Sequence, residues 1–353
     1  MTHIAINGFG RIGRLVLRRM IEKKAPFQVV AINASYPAKT LAHLLRYDSV
    51  HRTPEFTIDY TEDTLIIDGK RIQLIQEREP ERLPWHQLGI DVVIEATGKF
   101  TDRTGAQRHL HAGAKQVVIT APGKDEDVTL VMGVNHMRYD PQKHRIISNA
   151  SCTTNALAPV VKVLHEAFGI EHGMMTTVHS VTNDQNVLDN PHKDLRRART
   201  SGLSIIPTST GAAKAIGKVI PELNGRLTGL ALRVPTPNVS MIDVVVYLSR
   251  EVSKEEVHSA FSRASTNELS GILTLSLEPL VSTDYIGDRH SAIVDTELTK
   301  VAGRMVQVFA WYDNEWAYSD RVVDLVTYMV QMNEQASIQA ATFEGKDRTL
   351  ETV

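Results

Sequence analysis

The chain has 353 residues, enough for two domains at the usual size of roughly 100–200 residues each. Its 42% hydrophobic and 23% charged residues are those of an ordinary globular protein, and a formal net charge of −2 gives no global attraction for nucleic acid or an anionic membrane. One cysteine excludes an intramolecular disulfide and suits a reducing compartment. No apolar run approaches the roughly 20 residues that cross a bilayer, and no charged-then-apolar leader precedes the first strand pattern. A cytoplasmic enzyme with no metal site is the expectation.

In chain order, His3–Asn7 reads as a short apolar strand. Gly8-Phe9-Gly10-Arg11-Ile12-Gly13 follows, then a helix pattern over 14–23 and a second strand over 27–33. A G-x-G-x-x-G between strand and helix is the dinucleotide fingerprint in its required context. Gly8 permits the tight turn, Gly10 lets a pyrophosphate approach the backbone, and Gly13 lets helix and strand pack closely. The pyrophosphate then lies on the helix N-terminus. The second strand should end in an acid if NAD is bound, since a carboxylate there bonds the ribose hydroxyls. It ends Asn33-Ala34-Ser35 instead. Ala34 leaves room for the extra phosphate of NADP and Ser35 offers a donor, so NADP is expected to be preferred; Asn33 alone holding the ribose would still allow NAD.

Apolar runs recur at 64–67, 91–95, 116–120 and 129–134, separated by turn signals such as Asp68-Gly69 and by a helix signal over 103–112. Thr97, Gly98 and Thr120 fall at the carboxyl ends of such strands, where a parallel sheet faces its ligand. They read equally as strand-end polar residues.

Cys152 lies in Ser148-Asn149-Ala150-Ser151-Cys152-Thr153-Thr154-Asn155, between a β-rich stretch at 145–148 and a helix pattern over 154–168. A thiol at a helix start meets the positive end of the dipole and unpaired N–H groups, which favour the nucleophilic thiolate. The residue types alone admit a small buried hydrophobe as well. A strand over 173–179 then ends in His179, a general-base candidate among 14 histidines, distinguished by the polar residues after it. The polar segment 182–209 is too long for an ordinary connection. Thr208-Ser209-Thr210-Gly211 opens a helix over 212–219, an anion site that Arg197 and Arg233 could complete. Taken alone, Arg196-Arg197-Ala198-Arg199 reads as readily as a solvated or interface face. Strands with alternating apolar residues follow at 227–234, 240–248 and 305–312, and a helix pattern at 319–332 closes the compact part.

The expected fold is therefore α/β: residues 1–150 form a Rossmann dinucleotide-binding domain, rejoined by a helix at 316–334. Residues 151–315 form an α+β catalytic domain with a mostly antiparallel sheet. The polar tail 335–353 is expected to be poorly ordered.

Over its length from Ala5 to about Val330 the chain resembles phosphorylating glyceraldehyde-3-phosphate dehydrogenases. The resemblance is carried by residues 6–14, the block Ser148–Asn155, residues 192–199 and 210–215, and Trp311-Tyr312-Asp313-Asn314-Glu315-Trp316. It implies that Cys152 is the nucleophile and His179 its base. It implies that Thr182, Asp184 and Arg233 hold the phosphate of glyceraldehyde 3-phosphate, while Ser151, Thr153, Arg197, Thr210 and Gly211 hold the attacking inorganic phosphate. Asn314, with Tyr318 beside it, would fix the nicotinamide, and Arg11, Ile12, Arg78 and Thr120 look like further cofactor contacts. Segment 182–209 looks like the family's S-shaped loop, which reaches a neighbour's cofactor in a homotetramer.

Two departures bear on the cofactor. Ala34 replaces the Asp of NAD-type members, and Asn190 before Pro191 replaces their usual Leu. The pair resembles the NADP-preferring, gluconeogenic bacterial branch. A related dehydrogenase acting on erythrose 4-phosphate is disfavoured, because that branch typically lacks the threonine at 182 and the Thr-Gly at 210–211. A non-catalytic dinucleotide- or RNA-binding homologue is disfavoured by the charge balance and the intact Cys152/His179 pair.

Overall fold

The computed structural model describes the backbone of residues 1–350 and the side chains of residues 1–339. The first part contains β1 (His3–Asn7), α1 (Arg11–Glu22), β2 (Gln28–Asn33), α2 (Ala38–Arg46), β3 (Ile58–Tyr60), β4 (Thr64–Ile67), β5 (Lys70–Ile75) and β6 (Val92–Glu95). It continues through α3 (Arg103–His111), β7 (Gln116–Ile119), β8 (Val128–Thr129) and β9 (Ile146–Ser148). These strands form one sheet in the order β3-β4-β5-β2-β1-β6-β7-β9-β8. Its centre is parallel, and only the β3-β4-β5 edge is antiparallel. Parallel strands covered on both faces need continuous apolar runs. Val92-Val93-Ile94 in β6 and Val117-Val118-Ile119 in β7 supply them and are buried throughout.

The second part contains α4 (Cys152–Phe168), β10 (Ile170–His179), β11 (Ile206–Ser209), α5 (Ala212–Val219), β12 (Leu227–Arg233) and β13 (Ser240–Leu248). After them come α6 (Lys254–Thr266), β14 (Leu273–Ser276), β15 (Ala292–Ala302), β16 (Met305–Tyr312) and α7 (Trp316–Leu350). Its sheet runs β11-β12-β10-β13-β16-β15-β14. The pairs β10/β12 and β14/β15 are parallel and the others antiparallel. β13 alternates buried and less buried residues along its length, the mark of a sheet with one covered face. That covered face meets α4, α5 and α6 in a core that includes Leu157, Val161, Ile216, Val244, Phe261 and Val308.

α7 returns to the first core, where Tyr318, Val322, Leu325, Val326 and Met329 pack with Ile4, Val16, Ile94 and Val118. It runs on to Leu350, past the end of the apolar pattern at Met332. Residues 351–353, the end of the tail expected to be poorly ordered, lie outside the described residues.

Several boundaries differ from expectation. α1 starts at Arg11 and α4 at Cys152, three and two residues earlier than the apolar periodicity places them, because helix starts are set by caps. The run at 129–134 is strand only at Val128–Thr129. Beyond it Asn135 bonds the Val131 N–H and the Thr129 carbonyl, and Gly133 takes φ +78°, so the chain turns. The helix α6 is announced by a capping box, Ser253 with Glu256, that the sequence reading passes over.

Candidate active site

The glycine turn behaves as its spacing implies. Gly8 has φ +95°, and a Cβ on it would lie 2.7 Å from the Thr97 nitrogen; a Cβ on Gly13 would lie 2.1 Å from the Gly8 carbonyl oxygen. Gly10, by contrast, faces open space as the N-cap of α1. Two glycines are thus required by packing, and the third leaves a cradle at a helix N-terminus where a pyrophosphate fits.

Around that cradle the sequence candidates divide. Ala34, Ser35, Arg78, Thr97 and Gly98 sit at or just beyond the carboxyl ends of β2, β5 and β6, with Ser35, Arg78 and Gly98 exposed. Thr120 is bound to β6 through its N–H and hydroxyl, both donating to the Glu95 carbonyl. The Asn33 carboxamide is committed to the protein: Nδ2 donates to Asn7 Oδ1 and the Glu77 carbonyl, both at 2.7 Å, and Oδ1 accepts from the Glu77 N–H. Every donor and one acceptor position of the side chain are therefore taken within the protein. The Arg11 guanidinium likewise clasps Glu315 and Asp48. What Arg11 offers a dinucleotide is its place in the first turn of α1, and Ile12, half-buried beside it, packs onto the first core.

Cys152 is the first residue of α4. Ser151 caps that helix, its Oγ accepting the Thr154 N–H at 3.0 Å. The cysteine is half-buried and touches both cores, which places it at the seam between the two sheets. β10 delivers His179 to the same seam, with Nε2 3.5 Å from Cys152 Sγ. The His179 Nδ1 lies 2.8 Å from the Ser180 carbonyl and 2.5 Å from Arg233 Nη1. β12 runs parallel to β10 with Arg233 opposite His179, so the register itself brings the cation to the imidazole. Arg233 Nη1 also donates to the Ser180 carbonyl, at 3.1 Å, so in the tautomer with the hydrogen on Nδ1 both the ring and the guanidinium donate to that oxygen, and Nε2 is the acceptor facing the thiol.

Burial dominates the electrostatics. It pushes the Cys152 thiol up from its ordinary value, against the Arg233 charge and the hydrogen bonds at the helix start, which pull it down. The expectation of a helix-start thiolate is therefore met by an opposing desolvation that the sequence does not show. Burial and the Arg233 charge hold His179 down at about 3, so the imidazole is neutral at ordinary pH and available as a base.

Of the anion-site candidates, Arg233 touches His179 and the charge of Arg197 also acts on it. Arg233 keeps a buried Nε without a partner. Arg197 donates to Thr208 Oγ1 at 3.0 Å and is ion-paired with Asp184, which also lies 3.4 Å from His192 Nε2. The two were expected in different phosphate sites, and the structure joins them. Thr182 bonds Gln185 through its backbone N–H, leaving its hydroxyl unpaired among the described residues. Thr210 and Gly211 form the start of α5, where Gly211 faces open space and the Thr210 hydroxyl accepts the Ala212 N–H. The Thr153 hydroxyl, expected to meet phosphate, is bonded to the buried Tyr312 hydroxyl at 2.9 Å, which also bonds Thr177. Asn190 lies in the loop after β10, its N–H donating to the Ala198 carbonyl; among the described residues nothing joins it to Ala34 or Ser35.

Asn314 follows β16 and is buried. Its Oδ1 accepts from Ser180 Oγ at 2.9 Å and Ser240 Oγ at 2.8 Å, so Nδ2 is the edge left to a ligand. Sequence reasoning missed the orienting role of Ser180 and Ser240; only the first, adjacent to His179, carried a local signal. Tyr318, one turn into α7, donates to the Ala150 carbonyl at 2.9 Å and so ties that helix to the cysteine loop, where Ala150 holds φ +55°.

Comparison with known proteins agrees with this geometry. Residues 2–103 match the family model for the NAD-binding domain of glyceraldehyde 3-phosphate dehydrogenase, and residues 151–314 match that for its C-terminal domain. The chain is 59% identical over 328 residues to glyceraldehyde-3-phosphate dehydrogenase 2 of Bacillus subtilis, covering 92% of this chain and 96% of that protein. It is 57% identical over 327 residues to the glyceraldehyde-3-phosphate dehydrogenase of Geobacillus stearothermophilus, with 92% and 97% covered. With the one from Streptomyces coelicolor it shares 52% over 328 residues, with 92% and 98% covered. A Rossmann domain with a glycine cradle, a second domain supplying a thiol and an imidazole within contact, and matches to both halves place this chain in the glyceraldehyde-3-phosphate dehydrogenase family.

Proposed function

We propose that the protein is a phosphorylating glyceraldehyde-3-phosphate dehydrogenase that prefers NADP and serves the gluconeogenic, reductive direction. The observation that carries the chemistry is the 3.5 Å approach of Cys152 Sγ to a neutral His179 Nε2. His179 takes the thiol proton as sulfur adds to the aldehyde carbon and passes it to the carbonyl oxygen, giving a hemithioacetal and a neutral imidazole again. It then removes the hydroxyl proton as the carbon is oxidised to a thioester. A bound nicotinamide supplies the hydride acceptor, and Asn314 Nδ2 is placed to hold its carboxamide. Inorganic phosphate held by Arg197, Thr210, Gly211 and the Ser151–Thr153 turn attacks the thioester, releasing 1,3-bisphosphoglycerate and the sulfur. Arg233 and the Thr182 hydroxyl anchor the substrate's own phosphate, with the free Nε of Arg233 supporting that role and Asp184 acting through its ion pair with Arg197.

The cofactor preference is supported by Ala34 and exposed Ser35 where a carboxylate would repel a 2′-phosphate, and by Arg78, which has no carboxylate partner among the described residues. NAD is accepted as the weaker cofactor. A homotetramer is supported by the exposed side chains of Val187, Leu188, Leu195, Leu203 and Ile205, all in one loop, since a run of exposed apolar residues marks an interface. No described helix is long and apolar enough to cross a membrane, and we take the enzyme to be cytoplasmic.

Steady-state kinetics with glyceraldehyde 3-phosphate, comparing NAD with NADP, each with and without phosphate, test the reading. Turnover should require phosphate, favour NADP and vanish in Cys152→Ser. Turnover retained in that variant overturns the covalent route.

A further inference from the structure

At the last rung of the first sheet, β1 pairs Asn7 with Asn33 on one side and with Glu95 on the other. All three side chains are buried and hydrogen-bonded in a row. Asn33 Nδ2 donates to Asn7 Oδ1 at 2.7 Å, and Asn7 Nδ2 donates to Glu95 Oε2 at 2.6 Å. The row continues at both ends. Asn33 holds the backbone of Glu77, next to Arg78, and His109 Nε2 lies 3.1 Å from Glu95 Oε2. Trp85 Nε1 donates to His109 Nδ1 at 3.0 Å, which leaves the hydrogen of a neutral ring on Nε2, pointed at the carboxylate. The other carboxylate oxygen, Oε1, accepts both the N–H of Thr97, at 2.8 Å, and its hydroxyl.

Glu95 therefore accepts four donors, two on each oxygen, and nothing about it remains to contact a ligand; it is 1% exposed. What it holds is the turn that forms one wall of the glycine cradle, since a Cβ on Gly8 would meet the Thr97 nitrogen at 2.7 Å and its Cγ2 at 2.8 Å. Three residues along the row also border a cradle residue: Asn7 precedes Gly8, Asn33 precedes Ala34, and Glu77 precedes Arg78.

We propose that Glu95 is a positioning residue of the dinucleotide site, its buried carboxylate setting the Thr97-Gly98 turn against the Gly8 turn without touching the cofactor. The proposal builds on the reading of this sheet edge as the cofactor site. An amide at 95 keeps the shape but turns donor hydrogens toward donors, so at least one of the four bonds is lost.

In Glu95→Gln, made in the full chain, the KM and Kd for NADP and for NAD should both rise about tenfold. The kcat at saturating cofactor, the KM for glyceraldehyde 3-phosphate and the alkylation rate of Cys152 by iodoacetamide without cofactor should stay within about twofold. Unchanged cofactor affinity overturns the proposal, and so does an equal loss on the substrate side, which would mark a general structural role. Should that variant fail to fold, Thr97→Val removes the hydroxyl's bond to Glu95 and the one it accepts from the Lys99 N–H in the same turn, and should raise the cofactor KM about threefold in the same direction; no rise overturns the proposal. A wild-type enzyme that binds neither cofactor overturns the dinucleotide reading itself, an outcome distinct from a binding wild type with an unaffected variant.

Discussion

Arg233 and His179 sit opposite each other on parallel strands, and the guanidinium Nη1 comes within 2.5 Å of the imidazole Nδ1. One positive charge thereby acts on both reacting groups, holding the imidazole neutral and pulling the Cys152 thiol down against its burial. Arg233→Leu keeps much of the bulk and removes the charge, so the thiol should titrate higher. Alkylation of Cys152 by iodoacetamide, a neutral reagent indifferent to the phosphate sites, should slow about tenfold near neutral pH. Arg233→Lys should recover most of that rate. Equal rates in all three proteins would show that the cation does not act on the sulfur.

His179 also links stability to pH. Its value of about 3 in the fold lies below the ordinary 6.5, so between the two the unfolded chain binds a proton that the folded chain refuses. The stability it contributes is complete above the ordinary value and falls as pH drops toward the lower one. His179→Asn lacks this penalty. The Tm of the variant, measured against the wild type, should therefore rise as the buffer goes from about pH 8 to about pH 4. Two melting curves that shift in parallel over that range would contradict a buried neutral imidazole.

Arg11 opens α1 and clasps two carboxylates, Glu315 and Asp48, with His51 3.2 Å from the first. Burial opposes both acids, yet the Arg11 charge and hydrogen bonds hold Glu315 below the usual carboxylate range. Asp48 is held low by its backbone bonds from His51 and Val50 as well as by Arg11. Since Glu315 adjoins Asn314, this clasp ties the start of α1 to the residue proposed to hold the nicotinamide. Arg11→Met deprives two acids of their cation and should cost about 2 kcal/mol, between the values for exposed and for buried pairs. For depressed acids the stabilisation exists above their unfolded values and disappears as pH falls through the folded ones. The acid-unfolding midpoint of the variant should thus lie at higher pH than that of the wild type, as read by fluorescence during an acid titration.

These residues also show what a sequence displays and what it hides. The glycine turn was legible because each glycine answers a local demand, and the structure meets all three with a contact distance or an open face. Cys152 at a helix start was legible for the same reason, the cap being one residue away. The surroundings of the site were not. Glu95 and Asn7 are 88 residues apart, Thr153 and Tyr312 159 apart, and neither pair leaves a spacing that periodicity can reveal. The pairing of Asp184 with Arg197 falls in a loop without regular structure, where side-chain partners follow from the path of the backbone alone. The opposing effects on the thiol belong to the same class, because desolvation depends on what the rest of the chain places around the sulfur.

The proposed preference for NADP rests chiefly on the end of β2. Ala34 is half-buried there, its N–H fixed to the Ile75 carbonyl, so a substituted side chain leaves from a backbone already held in place. Ser35 beside it is exposed, and Arg78 emerges from the neighbouring strand end, adjacent to the Glu77 backbone that Asn33 grips. Ala34→Asp would set a carboxylate where the adenosine ribose lies, accepting from its hydroxyls and repelling a 2′-phosphate. The ratio of kcat/KM for NADP to that for NAD should fall at least about tenfold, with most of the change in the cofactor KM, because the substituted group bears on cofactor binding and has no contact with Cys152 or His179 among the described residues. Arg78→Ala should move the ratio the same way by weakening NADP while leaving NAD within about twofold. If Ala34→Asp leaves the ratio where it was, the adenosine pocket is not built from this strand end and the preference must be sought elsewhere.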